Sequence, residues 1–214
     1  MIDLHTHTLL SDGDLLPSEL VRRAAVKGYE AIALTDHCDF SNIDFVLPRI
    51  VKVSRNLNSH WPIKVIPGME ITHVPLKEIK NLINYGRHNG AKIIVVHGET
   101  LSEPVIPGTN REAIRCKADI IAHPGLLTEE DANLAKENSI YIEITTREAH
   151  LQTNRHIRDI ARKTGVKLLL NTDTHAPEDL MDDAKAQAFL ESLEFTKDEI
   201  DKIFRNSRVI AGFC

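Results

Sequence analysis

The sequence predicts an α/β fold whose parallel strands close into a single-domain barrel spanning residues 1–214. Two observations predict it. Seven short apolar runs of β type alternate with helix-like stretches, an order that an antiparallel meander cannot accommodate. Six of those seven runs end in a metal-ligand residue type. In a parallel barrel the C-terminal strand ends converge on one rim, whereas an open sheet would spread them along a line too long for one site.

Strands are expected, in order, at Ile2–His7, Ala31–Thr35, Val65–Glu70, Lys92–His97, Ile120–His123, Tyr141–Ile144 and Lys167–Asn171. Each is short and mostly Val, Ile or Leu, as suits parallel strands covered on both faces. Helices with i, i+3, i+4 apolar spacing are expected at Pro17–Lys27, Phe45–Asn58, Leu76–Asn89, Arg111–Lys117, Thr128–Asn138, Asn154–Thr164 and Asp179–Leu193. Pro17 sits where a helix start accepts it. Thr128-Glu129-Glu130-Asp131 and Thr196-Lys197-Asp198-Glu199 both read as capping boxes that open a helix. Gly90 and Gly165 follow helices at positions where a left-handed residue is common.

Composition narrows the function classes. The net charge is −5 and no long basic run occurs, so broad binding of a nucleic-acid duplex is not favoured. Anionic substrates stay open, because bound metal ions reverse the local sign. Cys38, Cys116 and Cys214 are odd in number and form no Cys-x-x-Cys pair, which points to a reducing compartment. Neither a leader-like start nor a run long enough to span a membrane is apparent. A cytoplasmic protein is expected.

The chemistry lies at the strand ends. Strand one ends with His5 and His7, strand two with Asp36-His37, strand three with Glu70, and strands four and five with His97 and His123. Strand seven runs into Asp173 and His175, and only strand six lacks such an ending, although Glu143 lies near it. His5 and His7 are i, i+2 on a strand and share a face, Asp173 and His175 repeat the spacing, and Asp12 follows strand one in the turn Ser11-Asp12-Gly13. A lone histidine after a strand is most often a hydrogen-bonded structural residue. Six of eleven histidines at strand ends imply a metal centre instead. Imidazole plus carboxylate without thiolate suits zinc, manganese or iron. Nine candidate ligands (His5, His7, Asp12, His37, Glu70, His97, His123, Asp173 and His175) exceed what one tetrahedral ion uses, so two or three divalent ions are expected.

Asp3-Leu4-His5-Thr6-His7 with Ser11-Asp12-Gly13, then Thr35-Asp36-His37, Gly68-Met69-Glu70, His97, His123-Pro124 and Asp173-Thr174-His175, resembles the polymerase and histidinol phosphatase (PHP) family. The similarity covers nearly the whole chain in order. It implies a distorted (β/α)7 TIM-like barrel, three metal ions and hydrolysis of phosphate esters. By this resemblance one ion takes His5, His7, Glu70 and Asp173, Glu70 bridges to a second ion on His97 and His123, and Asp12, His37 and His175 hold a third. Some members carry histidine where this chain has Asp12. His97-Gly98-Glu99-Thr100 and the loop after it resemble a histidinol-phosphatase-like subgroup.

The expected reaction is hydrolysis of a small phosphomonoester. Bound metals lower the pKa of coordinated water and neutralise charge on the attacking and leaving oxygens. Catalysis would rest on His5, His7, Glu70 and Asp173, with Arg147 gripping the phosphate. Arg111, His150 and Asn154 are further candidate substrate contacts. His73, Glu99 and Glu143 are expected to orient ligands. Cys38 reads as a small buried residue rather than a nucleophile, and His60, Trp61, His88 and His156 carry no functional signal. The second reading is a phosphodiesterase or exonuclease on nucleotides or single strands. Aromatics at 5% and no interleaved basic stretch place it second. A non-catalytic metal-binding module is disfavoured by the complete ligand set. Amidohydrolase-type chemistry lacks a strand-end lysine for a bridging carbamate.

Overall fold

In the computed structural model, which describes residues 1–213, β/α units follow one another around a barrel, and Cys214 lies outside the described residues. The strands are β1 (Ile2–Asp3), β2 (Ala31–Leu34), β3 (His37–Cys38), β4 (Lys64–Ile71), β5 (Ile93–His97), β6 (Ile120–Ala122), β7 (Tyr141–Thr145) and β8 (Leu168–Asn171). The helices are α1 (Pro17–Val26), α2 (Ile43–Asn58), α3 (Ile79–His88), α4 (Thr109–Arg115), α5 (Glu129–Glu137), α6 (Asn154–Thr164), α7 (Asp183–Ser192) and α8 (Lys197–Ile210).

The strands run in the order β1-β2-β4-β5-β6-β7-β8, with β3 pairing β4, and every pairing is parallel. Between β1 and β8 the ring is nearly closed. Thr6 bridges Thr174 in parallel, the His7 amide donates to the Thr174 carbonyl at 2.8 Å, and the Leu4 amide donates to Asn171 Oδ1 at 2.9 Å. The predicted barrel is therefore present, with a thin seam where its ends meet.

Alternation along the strands fills two cores. Ile2, Leu4, Ala31, Ala33, Ile66, Ile93, Val95, Ile120, Ala122, Tyr141 and Leu169 pack inside the barrel. Ile32, Leu34, Ile94, Val96, Ile121 and Leu170 pack outward against the helices. The same parity carries the inner face from Ile66 through Gly68 to Glu70, and from Ile93 through Val95 to His97. Inward-facing apolar residues thus give way to inward-facing ligands at the rim.

Several boundaries differ from those expected. The first strand was predicted to reach His7, but ladder pairing stops at Asp3 because side chains take over: Thr35 Oγ1 accepts from the Thr6 amide at 3.0 Å and Thr6 Oγ1 donates to the Ala33 carbonyl at 2.6 Å. The two-residue β3 was not foreseen. The predicted helix from Leu76 begins as a 3-10 turn over Leu76–Glu78. The last predicted helix starts late, because Pro177–Asp179 form another such turn and Asp182 caps α7 through the Lys185 amide. The Thr196–Glu199 box is complete. At Thr128 only half of it forms, since Asp131 accepts from the Thr128 hydroxyl and from Arg111 instead of reaching the cap amide. Among the described residues no helix is long and apolar enough to cross a membrane.

Candidate metal centre

All nine predicted ligands meet at the C-terminal rim. His5, His7 and Glu70 are fully buried, and His97, His123 and Asp173 nearly so. Asp173 Oδ1 lies 3.1 Å from His7 Nε2 and 3.6 Å from His5 Nε2. Glu70 Oε1 lies 3.4 Å from His5 Nε2 and 3.7 Å from His123 Nε2, and Oε2 lies 3.6 Å from His7 Nε2. Asp12 Oδ2 lies 3.3 Å from His175 Nε2 and 3.6 Å from His37 Nε2. Two ligand atoms each about 2.1 Å from one ion, at 90–110°, stand about 3.0–3.4 Å apart. The separations lie at or just above that span.

The imidazoles are turned the right way. His5 Nδ1 donates to Glu143 Oε2 at 2.8 Å, His37 Nδ1 to Thr72 Oγ1 at 2.7 Å, His97 Nδ1 to the Gly98 carbonyl at 3.2 Å and His175 Nδ1 to the Asp173 carbonyl at 2.8 Å. With Nδ1 committed as donor, each ring offers its Nε2 lone pair inward. His37 Nδ1 is also 2.7 Å from Glu70 Oε2, off the hydrogen-bond axis.

Backbone geometry supports the placement. His123 and Asp173 hold positive φ, 26° and 53°, a cost tolerated where the surroundings dictate it. After His97 only glycine fits, because a Cβ on Gly98 would lie 2.2 Å from the Ala122 carbonyl oxygen. In the Asp12 turn, a Cβ on Gly13 would lie 2.5 Å from the His7 carbonyl oxygen.

The donor set fits divalent metal ions. Among the described residues, the buried polar side-chain atoms without a hydrogen-bond partner are His5 Nε2, both ring nitrogens of His7, both Glu70 oxygens, His123 Nδ1, Asp173 Oδ1 and Ser54 Oγ. All but Ser54 belong to this cluster. Each such atom costs about 1–3 kcal/mol, so the set together rivals the whole stability of a domain, about 5–15 kcal/mol. Divalent cations bound at the centre would remove that cost.

Electrostatics agree. Burial opposes protonation of His5, but Glu143, Glu70 and Asp173 outweigh it and hold its pKa well above the imidazole range. Burial would raise Glu70, yet His5 and His37 hold it well below the usual carboxylate range. Burial pushes Asp173 up, and burial with neighbouring imidazoles pushes His7 and His123 well down. The Cys38 thiol is pushed up by burial, which suits an inert core residue.

The remaining candidates divide. His150 joins the centre: its ring stacks on His123 with centroids 4.1 Å apart, and its Nε2 lies 3.9 Å from Asp173 Oδ2. Arg147 stands at the rim, 3.3 Å from Asp179 Oδ2, in a cleft of about 590 Å³ lined by Thr146, Thr172 and Met181 and by the acids Glu148, Glu178 and Asp179. Arg111 is not gathered there. Its guanidinium lies 2.6 Å from Asp131 and 2.9 Å from Glu130, on the start of α5. Asn154 is buried and spends both amide groups on the Thr145 backbone. Glu99 accepts from the Gly108 and Asn110 amides and shapes the loop. His73 lies 2.9 Å from Glu103.

Three carboxylates outside the nine ligands support the centre. Asp36 accepts from the Thr8 amide and hydroxyl and from Ser11, fixing the loop that carries Asp12. Asp3 accepts from the Thr172 hydroxyl at 2.6 Å. Asp179 accepts from the His175 and Ala176 amides. For Asp3 a signal existed, since it precedes His5 at i, i+2. Asp36 stands at a strand end beside His37, and its role in holding the Asp12 loop shows only in its contacts with Thr8 and Ser11.

A family model described as PHP domain matches residues 3–100. An uncharacterized protein of Methanocaldococcus jannaschii is 50% identical over 187 residues, covering 86% of this chain and 86% of the relative. The DNA polymerase/3'-5' exonuclease PolX of Bacillus subtilis is 27% identical over 206 residues, covering 86% of this chain but 35% of that protein. Among solved structures, a chain of archaeal ribonuclease P with mature tRNA superposes with TM-score 0.77 at 19% identity, covering 100% of this chain and 90% of the other. Histidinol phosphate phosphatase of Lactococcus lactis, complexed with zinc, L-histidinol and phosphate, superposes with TM-score 0.60 at 20% identity, covering 100% and 94%.

Proposed function

Because this chain belongs to the PHP family, we propose that it is a metal-dependent phosphoesterase that hydrolyses a small phosphomonoester at a centre of two or three divalent ions. The observation that carries this reading is the set of buried, unpartnered donor atoms on His5, His7, Glu70, His123 and Asp173. His5, His7, Glu70 and Asp173 would hold one ion, Glu70, His97 and His123 a second, and Asp12, His37 and His175 a third. The third group is the most open, with the Asp12 side chain 55% exposed, so it is proposed as the weakest seat. When bound, the ions would acidify water and neutralise charge on the phosphoryl group.

The chain's own groups would do the rest. Glu143 holds His5 by Nδ1 and keeps its Nε2 aimed at the centre. Arg147 offers a planar fork for two phosphate oxygens at the rim. Its partner Asp179 is 3.3 Å away and 30% exposed, a loose pairing that an arriving dianion would compete with. His150 is fixed through Nδ1 by the Thr100 and Ser102 hydroxyls at 2.8 Å, which leaves Nε2 to meet the substrate. The cleft beside Arg147 is large enough for a small organic group. No protein nucleophile is needed, because phosphoryl transfer depends mainly on positioning and charge neutralisation.

A second reading, a phosphodiesterase or exonuclease on nucleotides or single strands, is supported by the likeness to PolX. A panel of phosphomonoesters and dinucleotides, assayed with and without chelator, decides between them. Phosphate release from monoesters that stops with chelator supports the first reading, cleavage of diesters alone promotes the second, and activity unaffected by thorough metal removal overturns both.

A further inference from the structure

The loop between β5 and α4 lays a carboxylate over the centre that the nine-ligand pattern leaves without a role. Glu103 Oε2 lies 3.2 Å from His97 Nε2 and 2.9 Å from His73 Nε2, and Oε1 lies 3.7 Å from His150 Nε2. Neither His73 nor Glu103 is buried, at 39% and 37% side-chain exposure, so the pair closes the centre from its solvent side. Nε2 of His97 is the atom free for a metal, since Nδ1 donates to the Gly98 carbonyl. The 3.2 Å separation is the span expected of two donors on one ion, about 3.0–3.4 Å.

We propose that Glu103 is a tenth, loop-borne ligand of the metal centre. It would cap the ion held by Glu70, His97 and His123, with His73 as the residue that positions it. This rests on the reading of the cluster as a multinuclear metal centre. The chemistry of the seat favours it. Glu70, His97 and His123 would supply three donors, one fewer than a closed four-coordinate site uses. Glu103 would fill the solvent side with a carboxylate oxygen, 3.2 Å from His97 Nε2 and 2.9 Å from His73 Nε2. His73 reaches it from the end of β4, turned toward the loop by a left-handed backbone with φ of 52°. The loop is stiffened beneath by Glu99, which accepts from the Gly108 and Asn110 amides. A ligand on a loop, unlike one on a strand, can leave. Glu103 would therefore hold the second ion at rest and yield its position to a substrate oxygen.

Metal content tests this directly. Wild type, Glu103→Ala, His73→Ala and the loop control Leu101→Ala are dialysed against manganese or zinc buffered by a graded chelator series, and metal per chain is measured by mass spectrometry. Leu101 is 54% exposed on the same loop. The expected result is one ion lost about 10–100-fold more readily from Glu103→Ala, by analogy with supporting partners of metal sites. His73→Ala shows a smaller loss, and Leu101→Ala matches wild type. Glu103→Ala retaining every ion as wild type does overturns the assignment and leaves the metal centre standing. A wild type that retains no ion overturns both.

Discussion

Glu143 Oε2 accepts from His5 Nδ1 at 2.8 Å, with both side chains wholly buried. The same carboxylate accepts from Asn171 Nδ2 at 2.9 Å and, through Oε1, from the His123 amide at 3.2 Å. Glu143 thereby ties β7 to two ligand-bearing segments and to β8. Removing it frees the His5 ring to rotate. Glu143→Ala is expected to weaken metal retention about 10–100-fold while the folded protein persists. Chelator competition followed by metal analysis checks this, and circular dichroism verifies the fold.

Glu70 lies within 3.7 Å of four imidazoles of the centre, those of His5, His7, His37 and His123. Glu70→Gln keeps its size but halves its ligand capacity. Turnover is expected to fall by on the order of 10³-fold, with the far-ultraviolet spectrum unchanged. Full activity in the variant contradicts the bridging role.

Arg147 is the residue proposed to meet the phosphate. Arg147→Ala removes a charge-assisted fork of about 1.5–3 kcal/mol, so kcat/KM should drop roughly 10–100-fold. Inhibition by inorganic phosphate should weaken in parallel. Arg147→Lys should restore only part, because a point charge cannot grip two oxygens at once. Arg111→Ala should leave kinetics close to wild type, since its guanidinium is held by Asp131 and Glu130.

Metal removal should cost stability as well as activity. At about 100–1,000 times the dissociation constant a bound ion adds about 2.7–4 kcal/mol. For a chain of this size each kcal/mol moves Tm by about 2–4 °C. Stripped protein should melt at least about 5 °C lower and recover on adding back manganese or zinc. Scanning calorimetry in both states reads this.

Away from the centre, Glu199 reports on pH. Its carboxyl is lowered to about 2, chiefly by the Arg162 guanidinium 2.7 Å away, against an unfolded value of about 4.3. A lowered folded pKa contributes stability above the unfolded pKa that fades as pH falls toward the folded one. Glu199→Gln, which also weakens the α8 capping box, should destabilise by about 1 kcal/mol at pH 7. That difference should shrink between about pH 4.5 and pH 2, as urea titrations at stepped pH will show.

Much of this was legible because barrel topology converts strand ends into neighbours. His5 with His7, Glu70 and His97 follow apolar runs, and their parity turns them inward. What stayed hidden depends on loops and long-range pairing. Glu103 sits in a segment without periodicity, so nothing local shows that it reaches His97. Arg111 looked free beside the rim because its partners Glu130 and Asp131 belong to the next unit. Nothing in the local sequence of Asn154 shows that its amide closes on the Thr145 backbone. The left-handed turns at His123 and Asp173 carry non-glycine residues and leave no trace in composition.

Anomalous diffraction from crystals grown with manganese or zinc tests the central claim most directly. Two or three strong peaks are predicted inside the ring of His5, His7, Glu70, His97, His123 and Asp173, the outermost beside Asp12, His37 and His175. Peaks confined to the outer surface, or none at all under saturating metal, would contradict the account.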